Sequence, residues 1–401
     1  MDWEYFEYEI VRKRVDLDTK ISTSVSKDYR EDIRCIRENY IGEASCFGKR
    51  KGKDELSKDI IQWNKTSIEV PKTLEKINFN VCDERIVHMD LDDLKDYTEL
   101  YLKHRMKVQF AKDTKVMLIT DIIKKKYENS NGVNYSYKKT LVHYVCNSTF
   151  ENSLGENHIS LKDVSTSLRH SFDDPINING FIAGNSRPNE LMNKNITCII
   201  TGQALKGIYF PLRNLIKKSP DVIFNSNFNV LDNPLAVSYE NSYPYDDEGI
   251  LGKEKKLIEN GRIVGHINSL ATACKNDETP TGNGVRSIDK RSIAARYSNM
   301  IIKAGSINLT DAIKNIENGY LIYNIEGNGI NNLGSGKLVL IIDEAYVIKN
   351  GSITGLAKNI TCIGNVLEIF SDENLRFGDE AHYVNNGIYS PFLVTDKIKV
   401  N

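Results

Sequence analysis

Cysteine and histidine, the side chains that most often bind metals or act as nucleophiles, are scattered along this sequence. There are seven of each, and no two cysteines form a Cys-x-x-Cys pair. No two histidines have the i, i+4 spacing that turns both imidazoles of a helix toward one zinc ion. The odd cysteine number and wide separation also argue against a disulfide framework. The sequence therefore predicts buried single thiols and no local metal motif, although residues distant in sequence could still assemble a site.

Two short motifs resemble ligand sites only superficially. Asp90-Leu-Asp-Asp begins like a calcium loop, but Lys95 stands where an EF-hand needs glycine and Tyr101 where it needs glutamate. The same aspartates suit the start of a helix, because negative charge stabilises that end of the helix dipole. Residues 327–329 (Gly-Asn-Gly) lack the third glycine of a dinucleotide fingerprint, since Asn332 occupies its position. These motifs therefore predict a helix cap and a turn.

Composition excludes several classes of protein. The chain has 401 residues, of which 40% are hydrophobic, so it can bury the cores of two or three domains. Its 53 Lys and Arg nearly balance 54 Asp and Glu, which argues against a dedicated nucleic-acid binder. No run approaches the roughly 20 apolar residues of a membrane span, and the acidic start MDWEYFEYEI lacks the features of a signal peptide. We expect a cytoplasmic protein that binds neither nucleic acid nor membranes.

Local patterns in the first half predict a helix and a hairpin. The helix runs from Asp90 to about His104, since apolar residues recur there at spacings of three and four positions. Residues 115–146 predict two strands that flank the turn Asn129-Ser-Asn-Gly. An Asn-Gly pair favours such a turn because both residues accept positive φ.

The second half is richer in strand and turn signals. Asn195–Ile200 is apolar enough for a buried strand, and Gly202–Lys217 predicts a helix that Pro211 weakens or kinks. Residues 257–265 (LIENGRIVG) and 347–355 (VIKNGSITG) share an apolar stretch, an Asn-Gly pair and a second apolar stretch. Each of them predicts a β-hairpin.

A series of motifs follows in order through the C-terminal half: Asp-Asp-Glu-Gly, Ile-Glu-Asn-Gly, Thr-Gly-Asn and Ile-Gly-Asn-x-Leu. The familiar series covers six segments in this order: 242–250, 256–275, 280–286, 299–322, 344–370 and 390–400. This series resembles the TldD/PmbA family, the modulators of DNA gyrase, which are subunits of a cytoplasmic zinc metalloprotease. Residues 116–146 more faintly resemble the segment that closes the family's N-terminal domain. Residues 1–110 match poorly, and the family's long opening helix is not apparent.

The resemblance implies an α+β fold with two lobes. The N-terminal lobe is an α/β lobe, and the C-terminal lobe is rich in antiparallel β-sheet. We place a divergent N-terminal lobe at residues 1–150, a connecting segment and helix at 151–224, and the C-terminal TldD/PmbA domain at 225–401.

The zinc motif of the family is missing. TldD-type chains carry His-Glu-x-x-x-His on a helix and a later cysteine, so that a glutamate general base lies beside zinc-bound water. By order along the chain, the equivalent helix is Gly202–Lys217, which contains neither His nor Glu. The third ligand would fall in Arg376–Ser390, which has His382 but no Cys, and Cys362 is expected to be a buried strand thiol. The resemblance therefore implies no metal ligand and no catalytic residue in this chain, with zinc on a TldD-like partner.

The resemblance thus implies a PmbA/TldE-like non-catalytic subunit of a TldD/TldE-type zinc metalloprotease. Such a complex would degrade or mature unfolded peptides, including ribosomally made modified peptides, and whether this chain is itself an enzyme stays open. An alternative is a non-proteolytic peptide-binding or scaffold protein derived from the same family. A third interpretation is a stand-alone metallopeptidase with unconventional ligands such as His266 or His382.

The resemblance also points to residues for substrate binding. A peptide that enters in extended form would pair with a strand edge and be held through its main chain. The side chains expected to contact it are Asp246, Asp247, Glu248, Asn283 and Arg286. Asp and Asn equally stabilise turns through local hydrogen bonds, so the same residues could be turn and cap residues instead.

Overall fold

The computed structural model describes residues 1–107, 111–152, 155–169, 172, 196–216, 222–286, 292–325, 330–331 and 335–400. The turn predicted at 327–329 and the terminal residues Asn195 and Lys217 of two predicted elements lie outside the described residues. Within the described ranges, no helix is long and apolar enough to cross a membrane. Four β-sheets and several short helices build this part of the chain.

A seven-stranded sheet forms the N-terminal lobe. Its strands are β1 (Asp2–Leu17), β2 (Ile21–Arg37), β3 (Tyr40–Phe47), β4 (Trp63–Lys65), β5 (Ala111–Asn129), β6 (Asn134–Asn152) and β7 (Gly155–Ser165). They pair in the order β4-β3-β2-β1-β5-β6-β7, and all neighbours are antiparallel. Strands β5 and β6 are the hairpin predicted for residues 115–146, and Gly132 in its turn has a φ of 80°. That prediction is confirmed.

The first two strands were not predicted from the sequence. They pair along their whole length, from Asp2 opposite Ile36 to Leu17 opposite Ile21. Charged cross-strand pairs stabilise one of their faces, for example Glu9 Oε2 and Lys27 Nζ at 3.2 Å. Because such pairs replace apolar side chains, the alternation that identifies a half-buried strand is missing.

Among the described residues of the N-terminal lobe, three segments form α-helices: α1 (Lys53–Leu56), α2 (Glu84–His88) and α3 (Leu91–Arg105). The start of α3 is a capping box. Asp90 Oδ1 accepts from the N–H of Asp93 at 2.9 Å, and Asp93 Oδ2 accepts from the N–H of Asp90 at 3.0 Å. Leu94 and Tyr101 are buried against the sheet. The predicted helix and its cap are confirmed.

The C-terminal lobe contains many short strands in three sheets. In chain order these are β8 (Thr197–Ile200), β9 (Val230–Asp232), β10 (Lys255–Glu259), β11 (Arg262–Ile263), β12 (Gly284–Arg286), β13 (Ile293–Ala295), β14 (Met300–Ile302), β15 (Asn318–Ile322), β16 (Ile330–Asn331), β17 (Lys337–Lys349), β18 (Ser352–Asn365), β19 (Arg376–Phe377), β20 (His382–Asn385), β21 (Ile388–Ser390), β22 (Leu393–Thr395) and β23 (Ile398–Val400). The largest sheet has eight strands, with the path β19-β22-β8-β15-β17-β18-β23 and β16 paired to β17. A six-stranded sheet follows the order β11-β10-β9-β14-β21-β20, and β12 pairs with β13 alone.

Both predicted Asn-Gly hairpins are present. Asn260 and Gly261 connect β10 to β11 with φ values of 48° and 74°. Asn350 and Gly351 connect β17 to β18 with φ values of 46° and 75°. The positive φ at both positions of each turn is the reason why Asn-Gly is favoured there.

The strand and helix predicted around residue 200 are also observed. After β8, a 3₁₀ turn at Gly202–Leu205 leads into α4 (Lys206–Ile216), with Pro211 inside the helix. One face of α4 joins the main core of the lobe through Ile208, Leu212 and Leu215. The remaining helices are α5 (Leu270–Asn276), α6 (Leu309–Lys314) and α7 (Val366–Ser371).

The two-lobed α+β architecture agrees with the prediction. Strand β7 extends the N-terminal sheet beyond residue 150, and β8 joins a C-terminal sheet before residue 225. Strand membership alone does not define folding units, so the divisions placed after residues 150 and 224 stay predictions.

Candidate functional site

A cavity of about 260 Å³ lies where the two lobes meet. Strand β7 contributes Lys162 and Asp163 to its wall, the turn before α4 contributes Gln203, and the C-terminal sheets contribute His382 and Tyr389. Aromatic walls with a small number of convergent polar groups are typical of ligand sites.

The 3₁₀ turn at Gly202–Leu205, just before α4, forms one wall of this cavity, and we call it the helical wall. Gly202 has a φ of 55°, and a Cβ there would lie 2.9 Å from the ring of Tyr323, so both conformation and space favour glycine. Gln203 Nε2 donates to the carbonyl of Val384 at 2.9 Å, which joins the helix start to β20. The turn presents Gly202, Gln203 and Leu205 to the cavity. No member of this set is a usual zinc ligand.

His382 begins β20, the strand to which Gln203 is hydrogen-bonded, and forms a further wall of the cavity. Its Nε2 is 3.9 Å from Glu380 Oε2, and its side chain is 25% exposed. Burial lowers the pKa of His382, and the opposing charges of Glu380 and Asp379 do not offset this effect. A neutral imidazole carries one donor and one acceptor. This wall therefore offers a hydrogen-bonding group rather than a permanent cation.

The donor set of the cavity does not fit a zinc ion. Asp163 pairs with Arg169, so His382 and Glu380 are left as the side chains of this cavity that could bind zinc. In the part of the chain that the structure describes, no group of three or more His, Cys, Asp or Glu side chains is placed to hold a metal. Zinc sites in proteins use three or four protein ligands. The described residues therefore do not assemble such a site.

The other candidate ligands from the sequence lie elsewhere. His266 Nε2 is 2.6 Å from Glu278 Oε2 on an exposed surface. Cys362 is buried in β18, where burial raises the pKa of its thiol to about 12. A thiol must lose its proton to bind a metal, and the raised pKa opposes that loss. Cys362 is therefore a buried strand thiol, as the sequence predicted.

The five residues predicted to bind substrate do come together, at a second place on the lobe boundary. All are at most 8% exposed, and none lines the cavity: Asp246, Asp247, Glu248, Asn283 and Arg286. Their partners are other parts of this chain.

Asp246 organises the turn that carries the acidic cluster. Its Oδ1 accepts from the N–H groups of Glu248 at 3.0 Å and Ile250 at 2.9 Å, and its Oδ2 accepts from Gly284 at 2.7 Å. Burial, and then repulsion by Glu248, raise the pKa of Asp246 well above its ordinary value. These contacts are the turn chemistry that the sequence left open as an alternative.

Glu248 reaches from this turn to the N-terminal lobe. Its Oε1 accepts from Arg34 Nη1 at 2.8 Å, and its Oε2 accepts from the N–H of Leu270 at 2.7 Å. Arg34 also pairs with Glu4. Burial opposes the charge of Arg34, but these two carboxylates outweigh it and raise its pKa. A Cβ on Gly284 would lie 2.1 Å from Glu248 Oε2, so only glycine leaves room for the carboxylate.

Asp247 makes a second ion pair across the boundary. Its Oδ1 is 2.6 Å from Lys125 Nζ, and its Oδ2 accepts from the N–H of Arg286 at 2.9 Å. Burial disfavours the charged lysine, but Asp247 outweighs that effect and raises the pKa of Lys125. The guanidinium of Arg286 lies 5.1 Å from the ring centroid of Phe6. Asp247 and Arg286 therefore both contact the N-terminal lobe.

Asn283 acts within the C-terminal lobe. Its Nδ2 donates to Asp232 Oδ2 at 2.8 Å and to the carbonyl of Arg296 at 3.0 Å. All five residues thus have structural partners, and a role in binding substrate stays a prediction. Sequence reasoning missed Arg34 and Lys125, because no local pattern relates them to the acidic turn at residues 246–248.

The C-terminal half of strand β7 borders the cavity. As the last strand of its sheet it pairs with β6 on one side, and its other side faces the C-terminal lobe. Residues 161–165 line the cavity, and residues 158–160 line a second hollow of about 210 Å³. Tyr323 contributes to both hollows. One strand edge therefore connects two spaces between the lobes.

A family model described as the PmbA/TldA metallopeptidase C-terminal domain matches residues 203–401. The chain belongs to the TldD/PmbA family. The match begins at Gln203, in the helical wall of the cavity. In this TldD/PmbA protein, α4, which the resemblance related to the zinc motif, therefore lies within the matched domain, together with Gln203 and Leu205 of the helical wall.

Curated relatives carry metalloprotease names. A metalloprotease of Methanocaldococcus jannaschii is 32% identical over 140 residues, which are 35% of this chain and 31% of that protein. A metalloprotease TldD homolog of Buchnera aphidicola is 34% identical over 140 residues, which are 35% of this chain and 29% of that protein. The chain thus spans about a third of the length of these TldD/PmbA relatives.

Solved structures resemble the whole chain in fold. TldE from Thermococcus kodakarensis has a TM-score of 0.81 at 18% identity, and the match covers 100% of this chain and 96% of that one. A candidate modulator of a DNA gyrase from Thermotoga maritima has a TM-score of 0.84 at 17% identity, with coverage of 100% and 96%. Identity this low shows the fold alone. The α+β fold predicted for a TldD/PmbA chain is confirmed.

Proposed function

We propose that this chain is a PmbA/TldE-like, non-catalytic subunit of a cytoplasmic TldD/TldE-type zinc metalloprotease. The catalytic zinc would lie on a TldD-like partner, and the substrates would be unfolded peptides, including ribosomally made modified peptides. The observation that carries the proposal is the helical wall of the cavity, where Gly202, Gln203 and Leu205 are not zinc ligands although the metallopeptidase-family match begins at Gln203. The likeness in fold to TldE supports it.

In this proposal the free edge of β7 holds the peptide. The N–H of His158 donates to Glu344 Oε2 at 2.9 Å, and the N–H of Val164 donates to Asp163 Oδ1 at 2.9 Å, so both point away from β6. The alternate residues between them, Ser160 and Lys162, therefore also direct their main-chain N–H groups away from β6, toward the hollows between the lobes. A peptide added there would be held mainly through its main chain, which suits substrates of varied sequence.

The division of labour follows from these groups. This chain binds and orients the extended peptide along β7, and its cavity walls exclude water from one side of it. Bond cleavage belongs to the partner, since the described side chains of this chain supply neither a zinc site nor a paired nucleophile and base at the cavity.

Co-expression with a TldD-like chain from the same genome tests the partnership. We expect the two to co-purify as one complex in which zinc and peptidase activity are present, whereas this chain alone has neither. If no zinc-bearing homologue co-purifies, the subunit proposal fails. Peptide binding by the chain alone would then favour the alternative of a non-proteolytic peptide-binding or scaffold protein.

A proline substitution tests the role of β7. Ser160→Pro removes an N–H group that points away from β6. The pairing with β6 should persist, because proline is tolerated where its missing N–H lies on the free edge of a strand. We expect the complex to form normally and KM for peptides to rise several-fold, with Ser160→Ala as the matched control. An unchanged KM in a folded Ser160→Pro complex would exclude β7 as the peptide site.

A further inference from the structure

Residues 66–80 cross the surface as an extended segment without helix or strand, and we call this segment the strap. It leaves β4 and rejoins the N-terminal sheet at Val81, which forms a bridge with Lys139. Val70 is buried, Leu74 and Ile77 are half-buried, and most other strap residues are exposed. The strap therefore lies on the protein surface and buries only a few of its side chains.

An aromatic floor lies beneath the strap. Leu74 and Ile77 pack on a buried cluster that includes Tyr127, Tyr135 and Tyr245. The rings of Tyr135 and Tyr245 have their centroids 4.7 Å apart, and they come from different lobes. The strap therefore covers part of this aromatic floor, and exposed apolar surfaces mark binding sites.

The floor also carries donors that bind the main chain of the strap. The carbonyl of Val70 accepts from Asn131 Nδ2 at 3.1 Å, and the carbonyl of Glu75 accepts from Tyr245 Oη at 2.7 Å. Asn129 Nδ2 donates to the carbonyl after Val70 at 2.9 Å. These bonds depend on the main chain of the occupant, which every extended peptide provides.

The strap itself is held weakly. None of the main-chain N–H groups of residues 69–80 donates to another described residue. Each bond from a floor side chain contributes only about 0.5–1.5 kcal/mol net. Segments with few buried contacts and few main-chain bonds open at low free-energy cost, compared with global unfolding.

We propose that this floor is a binding site for extended peptides, and that the strap is a built-in occupant which such peptides displace. The peptide class is set by the floor: an extended segment with aliphatic side chains where Val70, Leu74 and Ile77 now lie. The site goes beyond the function proposed above, because it requires neither the cavity nor a zinc-bearing partner.

A reversible lock tests the proposal. Ser67 Oγ lies 3.0 Å from Cys274 Sγ on α5, so Ser67→Cys brings two thiols within reach of a disulfide. The probe is a fluorescein-labelled synthetic peptide with the sequence of residues 66–80, and binding is measured by anisotropy. We expect the oxidised variant to bind it at least about tenfold more weakly than the reduced variant, because the closed state cannot bind. The double variant Ser67→Cys, Cys274→Ser is the control and should not respond to oxidant.

A variant in which the contacts of the strap are weakened, which we call the release variant, tests whether opening of the strap strengthens peptide binding. Leu74→Asp with Ile77→Asp removes the apolar contacts of the strap and leaves the floor intact. We expect peptide binding at least about tenfold tighter than in the wild type and faster hydrogen exchange in residues 66–80. Lys72→Asp with Lys76→Asp, at exposed positions, is the control.

Two results would overturn the proposal. One is equal binding by the oxidised and reduced lock variants. The other is a release variant that is folded by circular dichroism and binds no more tightly than the wild type. If the release variant does not fold, the lock comparison decides alone. Failure to co-purify with a TldD-like chain would affect neither measurement, so the two proposals stand or fall separately.

Discussion

Arg34 and Glu248 are 214 positions apart in the sequence, yet Nη1 of the first lies 2.8 Å from Oε1 of the second. Their side chains are 2% and 0% exposed. The pair joins β2 of the N-terminal lobe to the acidic turn of the C-terminal lobe, and Glu4 is a second carboxylate on the same guanidinium. Buried charges are stable only while they are paired, so this contact makes the lobe boundary sensitive to single substitutions.

Arg34→Met should destabilise the protein strongly. It leaves Glu4 and Glu248 buried without their cation, and loss of one member of a buried ion pair costs about 3–5 kcal/mol. Urea unfolding measures the change. Arg14→Met is the matched control, because Arg14 pairs with Asp16 at the surface, where such pairs contribute about 0–1 kcal/mol. A loss below about 1 kcal/mol for Arg34→Met would contradict the role assigned to the pair.

Lys139→Met should change stability in a pH-dependent way. Burial lowers the pKa of Lys139 to about 7, from 10.5 for an unperturbed lysine. Between these values the unfolded chain holds a proton that the folded chain lacks, so the wild type loses stability as pH falls toward 7. Methionine does not titrate. The stability of the variant relative to the wild type should therefore be greater at about pH 7 than at about pH 10.

Urea unfolding at the two pH values checks this expectation. Lys138→Met is the control, because Lys138 is the sequence neighbour with a partly exposed side chain that pairs with Glu84. Equal pH dependence in the two variants would show that Lys139 is not the source of the effect.

Asp90→Ala should cost about 1 kcal/mol, the usual value for loss of an N-cap. The carboxylate accepts from the N–H of Asp93, and alanine leaves that donor without its partner. Asp92→Ala is the control. Asp92 lies two residues later and outside the capping box, so its loss should cost only about a few tenths of a kcal/mol. Thermal unfolding compares the variants. Added calcium should leave the wild-type Tm unchanged, and a rise would revive the calcium-loop interpretation.

The isolated chain should contain zinc far below one ion per chain, measured by plasma mass spectrometry after dialysis. The cavity places His382 and Glu380 near each other without a third donor group among the described residues. His382→Ala should therefore leave the metal content unchanged. Stoichiometric zinc that disappears in His382→Ala would instead support a stand-alone metallopeptidase with unconventional ligands.

Features specified by neighbouring residues could be predicted from the sequence. The cap at Asp90, the hairpins at Asn260-Gly and Asn350-Gly, and the helix that contains Pro211 depend on residues within a few positions. The order of short motifs in the C-terminal half also identified the family, and it directed attention to the helix at the cavity.

Other features depended on partners that no local pattern reveals. Strands β1 and β2 are stabilised by charged pairs such as Glu9 with Lys27, which look like a solvated charged segment in the sequence. For the five residues predicted to bind substrate, the sequence left two roles open, and their contacts became visible only with the lobes in place.

The sequence by itself determined the family, the two-lobed class of fold and the lack of a local zinc motif, because each is encoded in short segments. Only the tertiary structure decided that Asp247 and Glu248 are ion-paired to Lys125 and Arg34, and that β7 and the turn before α4 line a common cavity. The physical reason is distance along the chain. Burial and charge pairing are properties of the neighbours in space, and folding supplies those neighbours from the other lobe.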